Sequence, residues 1–195
     1  MRVSRRFNDR AFTLVELMIV VAIIGVLAAL AIYGVRRYMA SAKTSEAKNT
    51  IGAISRAAAA AFEREIAASE IVPLGGSSTG VNHDLCQSAA PVPNAVPAGN
   101  KYQPAETEWG GATEQEGWRC LKFSMTQPIY YQYHYVRDAN AGVPGAPAIN
   151  APGFEAAALG DLDGDGVLSG FARGGNVVAG QLTIATQVHI DSEYE

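Results

Sequence analysis

From Phe12 to Tyr33 the chain reads FTLVELMIVVAIIGVLAALAIY, with Glu16 as its one charged residue. Apolar side chains fall on every face of a helix built from this run. Such a helix cannot be half-solvated, and must lie in lipid or among other apolar helices. With about 20 apolar residues it has the length that crosses a bilayer. The acid is the anomaly. On insertion scales an ionised side chain at the bilayer centre costs about 2.5–3.5 kcal/mol, so a carboxylate there needs a partner or a place near the interface.

Three fates fit the run. It is a secretory signal, with a basic start and an A-x-A-like cut at Ala29-Leu30-Ala31. It is a plain membrane anchor. Or the chain is cut before the run, and the apolar helix stays in the mature protein. The third fate suits Glu16 best. If Phe12 becomes the first residue, the acid lies four residues in, about 6 Å from the helix end at 1.5 Å per residue. Charge does not set the orientation. The leader carries Arg2, Arg5, Arg6 and Arg10 against Asp9. The flank after the run carries Arg36, Arg37, Lys43 and Lys48 against Glu46, an equal excess.

Residues Phe12 to Ile32, behind the basic leader MRVSRRFNDR, resemble the start of type IV pilins and pseudopilins. The resemblance implies removal of residues 1–11 by a prepilin peptidase between Ala11 and Phe12, and N-methylation of Phe12. It also implies that Glu16 pairs with the N-terminal amine of a neighbouring subunit. At about 4 Å and an effective dielectric near 20 such a pair gains about 4 kcal/mol before desolvation. Desolvation takes back much of that, so its chief effect is register. Gly25 matches a family glycine and costs the helix about 1 kcal/mol against alanine. The sequence departs from the family in two places: Ala11 stands where glycine is usual, and Tyr33 where many members have proline.

Past the run, Ile51, Ile54, Ala58, Phe62 and Ile66 recur at steps of three and four and define one apolar face. One helix from about Phe12 to Ala68 follows, on the order of 85 Å long. Two helices parted at Tyr33-Gly34 are the alternative. Pro73, Gly75 and Gly76 end it. The expected organisation is a cleaved leader (1–11), a membrane and filament-core helix (12–33), an amphipathic second half (34–68), a connecting loop (69–117) and an antiparallel sheet (118–195). Within the sheet, Trp118–Met125 and Ile129–Arg137 read as a hairpin around Thr126-Gln127-Pro128. Tyr131, Tyr133 and Tyr135 share one face of the second strand, opposite Tyr130, Gln132 and His134. Phe154–Leu162, Val167–Arg173 and Leu182–Asp191 are weaker strands, and Gly142–Pro152 is a loop. The expected class is α+β: a long N-terminal helix packed on an antiparallel sheet.

Two cysteines, Cys86 and Cys120, suggest one disulfide in an exported domain. A closed loop of roughly 35 residues is worth about 3–4 kcal/mol in the chain-entropy account. The pair lies earlier than the usual C-terminal pair of the family. Asp161, Asp163 and Asp165, in DLDGDG, match the first half of an EF-hand calcium loop, but Ala172 occupies the closing twelfth position. A carbonyl or a remote acid such as Glu155 could close a calcium site there. The alternative is a polar, glycine-rich turn. His83, His134 and His189 have no nucleophile or base beside them in sequence, and no hydrolase, P-loop or dinucleotide fingerprint occurs. An enzyme is not expected, and no cofactor beyond possible calcium is implied. The formal charge of −4 and the lack of basic runs after Lys48 argue against nucleic acid as the main partner.

The resemblance implies a structural subunit, the major pilin of a type IV pilus of the type IVa class. Its partners would be further copies of itself, the inner membrane before assembly, the prepilin peptidase and the assembly machinery. The fibre would serve twitching or gliding motility and adhesion at the cell surface. A pseudopilin of a type II secretion system and a membrane-anchored periplasmic binding module are the rival readings.

Overall fold

The computed structural model describes residues 12–64, 74–75, 83–111 and 113–195. They form two compact units, one up to Met39 and one from Ala40 to Glu195. In the first unit, α1 (Leu14–Glu63) begins at Leu14 and runs unbroken through Gly25, Tyr33 and Gly34. Every described side chain from Phe12 to Met39 is exposed. The alternative of two helices parted at Tyr33-Gly34 is therefore not what the chain does. Neither glycine meets a neighbouring atom that a side chain would strike. The expected extension to Ala68, and the stop signals Pro73 and Gly76, lie outside the described residues.

The second unit packs the rest of α1 on a six-stranded antiparallel sheet. The strands are β1 (Ala89–Val92), β2 (Gln132–Arg137), β3 (Gly153–Gly160), β4 (Ser169–Val178), β5 (Gln181–Ile184) and β6 (His189–Asp191). Their order is β1-β2-β3-β4-β5, with β6 also on β4. Because β3 pairs along β4 from Ser169 to Asn176, β5 and β6 share its other edge. Ile51, Ile54, Ala58 and Phe62 are buried as their spacing predicts. They meet Tyr131, Tyr133, Tyr135, Phe154 and Phe171 from the sheet, all fully buried. The tyrosines are packing residues, and Glu46 of α1 receives the Tyr130 backbone N–H (2.9 Å) and the Tyr133 hydroxyl (3.2 Å).

Three expectations fail. The stretch 118–125 is not a strand: Gly117–Leu121 forms α2, closed by Lys122 in the left-handed region (φ 53°). Tertiary anchors override the alternating pattern. The Trp118 indole donates to the Ala90 carbonyl at 2.8 Å and packs edge-on against Trp109, while Cys120 is held by its disulfide. The partners of β2 are β1 and β3. The segment 69–117 is also more than loop, since it holds β1 and a 3-10 turn at Glu106–Trp109. The last expected strand, Leu182–Asp191, is split into β5 and β6.

Candidate functional site

At the start of α1 a reciprocal pair of bonds fixes the helix end. The Thr13 backbone N–H and hydroxyl donate to Glu16 Oε2 at 2.9 and 2.8 Å, and the Glu16 N–H donates to Thr13 Oγ1 at 3.2 Å. This is a capping box: T-x-x-E satisfies donors at both ends of the first turn that the helix leaves orphaned. The acid also faces the positive end of the helix dipole. A carboxylate at the head of an apolar helix is thus held, oriented and aimed at the residues preceding Leu14. Ala11 lies outside the described residues; Phe12 is described and fully open to its surroundings. The Thr13 role was legible as T-x-x-E before an apolar run, yet composition drew attention to the acid alone.

From Leu17 to Val35 no charged residue occurs, and every described residue from Phe12 to Met39 is exposed. Small residues at Gly25, Ala28, Ala29 and Ala31 allow close approach of like helices.

Cys86 and Cys120 are bonded, with Cα atoms 5.8 Å apart. The staple joins the chain before β1 to α2, beside the end of α1. There Arg64 donates to the Cys120 carbonyl and His83 Nδ1 lies 2.9 Å from the Phe62 carbonyl.

Asp161, Asp163 and Asp165 come together in the β3–β4 turn, with one oxygen from each within 4.8 Å of the others. Each is already engaged. Asp161, 5% exposed, accepts from Gly164 N–H (2.6 Å) and Gly166 N–H (3.1 Å). Asp163 accepts from Asp165 N–H and Asp165 from Val167 N–H. Lys43 of α1 donates to the Leu162 carbonyl at 3.4 Å. The turn closes by its own hydrogen bonds. Ala172 is buried in β4, and Glu155 cannot close a cation site. It stands six residues back along β3, about 20 Å away at 3.4 Å per residue, and it is committed elsewhere.

Glu155 sits on the outer face of the sheet, 1% exposed, under the stretch 139–152. It accepts from the Asn140 amide (2.7 Å) and the Ala141 N–H (2.7 Å). Burial pushes its carboxyl above the ordinary value, against the lowering effect of those bonds. The covering stretch has two large side chains, Val143 and Ile149, and both lie over glycines. A Cβ at Gly170 would stand 2.7 Å from Val143, and one at Gly174 2.5 Å from Ile149. Beside it runs an open groove of about 860 Å³ lined by Ile149, Asn176, Thr183, Gln187 and His189. Nothing in the sequence signalled it. The three histidines stay apart: His134 is bonded to Gln132 within β2 and His189 to the Pro144 carbonyl.

The description "Prokaryotic N-terminal methylation motif" matches residues 6–32. The type IV major pilin protein PilA of Myxococcus xanthus (strain DK1622) is 52% identical over 67 residues, 33% of this chain and 30% of that protein. The fimbrial protein EcpC of Eikenella corrodens is 54% identical over 44 residues, 23% of this chain and 29% of that protein. The chain therefore spans less than a third of the length of these curated relatives. No solved structure matches. The long helix on an antiparallel sheet with one disulfide matches the pilin fold. The motif and the apolar helix fit an inner-membrane precursor and an extracellular pilus. The motif and both relatives make the N-terminal part of the chain similar to type IV pilins, and the fold agrees with that likeness.

Proposed function

We propose that the chain is the major subunit of a type IV pilus, a structural protein without catalytic activity, polymerising through α1. The observation that carries this reading is the methylation motif set on an apolar helix whose described residues are exposed from Phe12 to Met39. A helix apolar on all sides exchanges lipid for identical neighbours at little hydrophobic cost, so packing and paired charge decide association. In this reading a prepilin peptidase cuts between Ala11 and Phe12, and Phe12 is N-methylated. Glu16 then meets the new amine of a neighbour and sets the register, and Gly25 lets helices approach closely. The assembly machinery draws subunits from the inner membrane into a retractable surface fibre for motility and adhesion. Nucleic acid is not its main partner.

Mass spectrometry of the mature N-terminus tests the first step. A methylated Phe12 start supports the reading; a start at Ile32 means the apolar run was discarded as a signal. Deletion of the gene separates the pilus from a secretion pseudopilus: loss of surface fibres is expected, and intact fibres with blocked secretion would overturn the assignment.

A further inference from the structure

The β3–β4 turn contains two Asp–Gly bonds, Asp163-Gly164 and Asp165-Gly166, the linkage most prone to isomerise in water. In that reaction the glycine amide nitrogen loses its proton to solvent and bonds to the aspartate Cγ. A hydroxyl leaves Cγ and takes up a proton as water, closing a succinimide ring. Water then reopens the ring; opening at the main-chain carbonyl leaves isoaspartate, with the chain routed through the side chain and no net change in atoms. Both aspartates are exposed, and the following glycines, with no side chain, give their own nitrogens no steric cover.

The two attacking nitrogens are nonetheless both occupied. Gly164 N–H and Gly166 N–H donate to the two oxygens of one buried carboxylate, Asp161. A charge-assisted bond holds each proton on its nitrogen and its lone pair out of reach. The side chains of Asp163 and Asp165 each accept from the N–H two residues on, of Asp165 and Val167. We propose that Asp161 is a chemical guard: one buried carboxylate protects two isomerisation sites in a turn exposed to solvent. A subunit with an exposed turn outside the cell has no cytoplasmic repair, and the inserted methylene of one isoaspartate would break the β3–β4 hairpin.

The test is peptide mapping by mass spectrometry of the full chain in detergent, held for weeks at neutral pH. Wild type, Asp161→Ala and Asp161→Asn are compared, with wild type in urea as the unguarded reference and a thermal melt to show that each variant is folded. Isoaspartate at 163 and 165 should form slowly in the folded wild type. It should form about tenfold faster in Asp161→Ala, the factor that about 1.4 kcal/mol of lost protection gives. Asp161→Asn keeps one acceptor oxygen and should release one of the two bonds. Should Asp161→Ala not fold, the Asn variant carries the test. Equal rates in the folded wild type and the folded variants, or a folded wild type as fast as the urea reference, would overturn the guard.

Discussion

Glu16 is already bonded to Thr13 within its own chain, and on the proposed reading it also meets a neighbour's amine. The capping box holds the carboxylate before any partner arrives, which lowers the ordering cost of pairing. Thr13→Ala should weaken the first turn of α1 by about 1 kcal/mol, the usual cost of losing a Thr cap. Amide hydrogen exchange at residues 14–17 in micelles would show it as faster exchange there and unchanged exchange in the head. Glu155 gives a pH dependence of opposite sign to most carboxylates. Its folded value lies above its ordinary 4.5, so the folded state binds the proton more tightly than the unfolded chain. Its contribution to stability is present below 4.5 and is lost as pH rises through the higher folded value. Urea melts between pH 4 and 7 should show a downward slope in the wild type that is shallower in Glu155→Gln.

At the scale of elements, the cover over the outer sheet is held by knobs in glycine sockets. Gly174→Val should push Ile149 out and lift the stretch 139–152. A cost of about 1–3 kcal/mol, typical of overpacking, is expected, with increased proteolysis within that stretch and none within β2. Removing the staple by Cys86→Ser with Cys120→Ser should cost about 3–4 kcal/mol, read as a lower urea midpoint equal to that of the reduced wild type. Legibility follows the same division. Ile51, Ile54, Ala58 and Phe62 announced their face because a helix repeats every 3.6 residues whatever it packs on. The faces of Tyr131, Tyr133 and Tyr135 followed from the period of two. The helix at Gly117–Leu121 did not, since a tryptophan hydrogen bond and a disulfide, both long-range, outweigh a local alternation. The outer cover was hidden for a related reason. Its sockets are glycines, which carry no pattern, and its anchor is an acid that reads as surface until β3 and the loop are placed together. The acidic turn was legible as DLDGDG, but not that Asp161 alone would take both glycine amides.

For the whole molecule, the described residues of the N-terminal unit are exposed from Phe12 to Met39, and the second unit has a core of its own. On the proposed reading that division gives assembly to the helix. Glu16→Ala should leave the head's melting temperature unchanged and reduce surface fibres at least tenfold by electron microscopy; normal fibre numbers would favour a membrane-anchored module that never polymerises. The most direct measurement is a cryo-EM reconstruction of fibres purified from cells. It should show the helices that begin at Phe12 bundled along the axis, with each Glu16 carboxylate at about 3 Å, the distance of a charge-assisted bond, from the N-terminal amine of another subunit. Fibres whose centre lacks this helix, or in which Glu16 faces water with no amine beside it, would contradict the account.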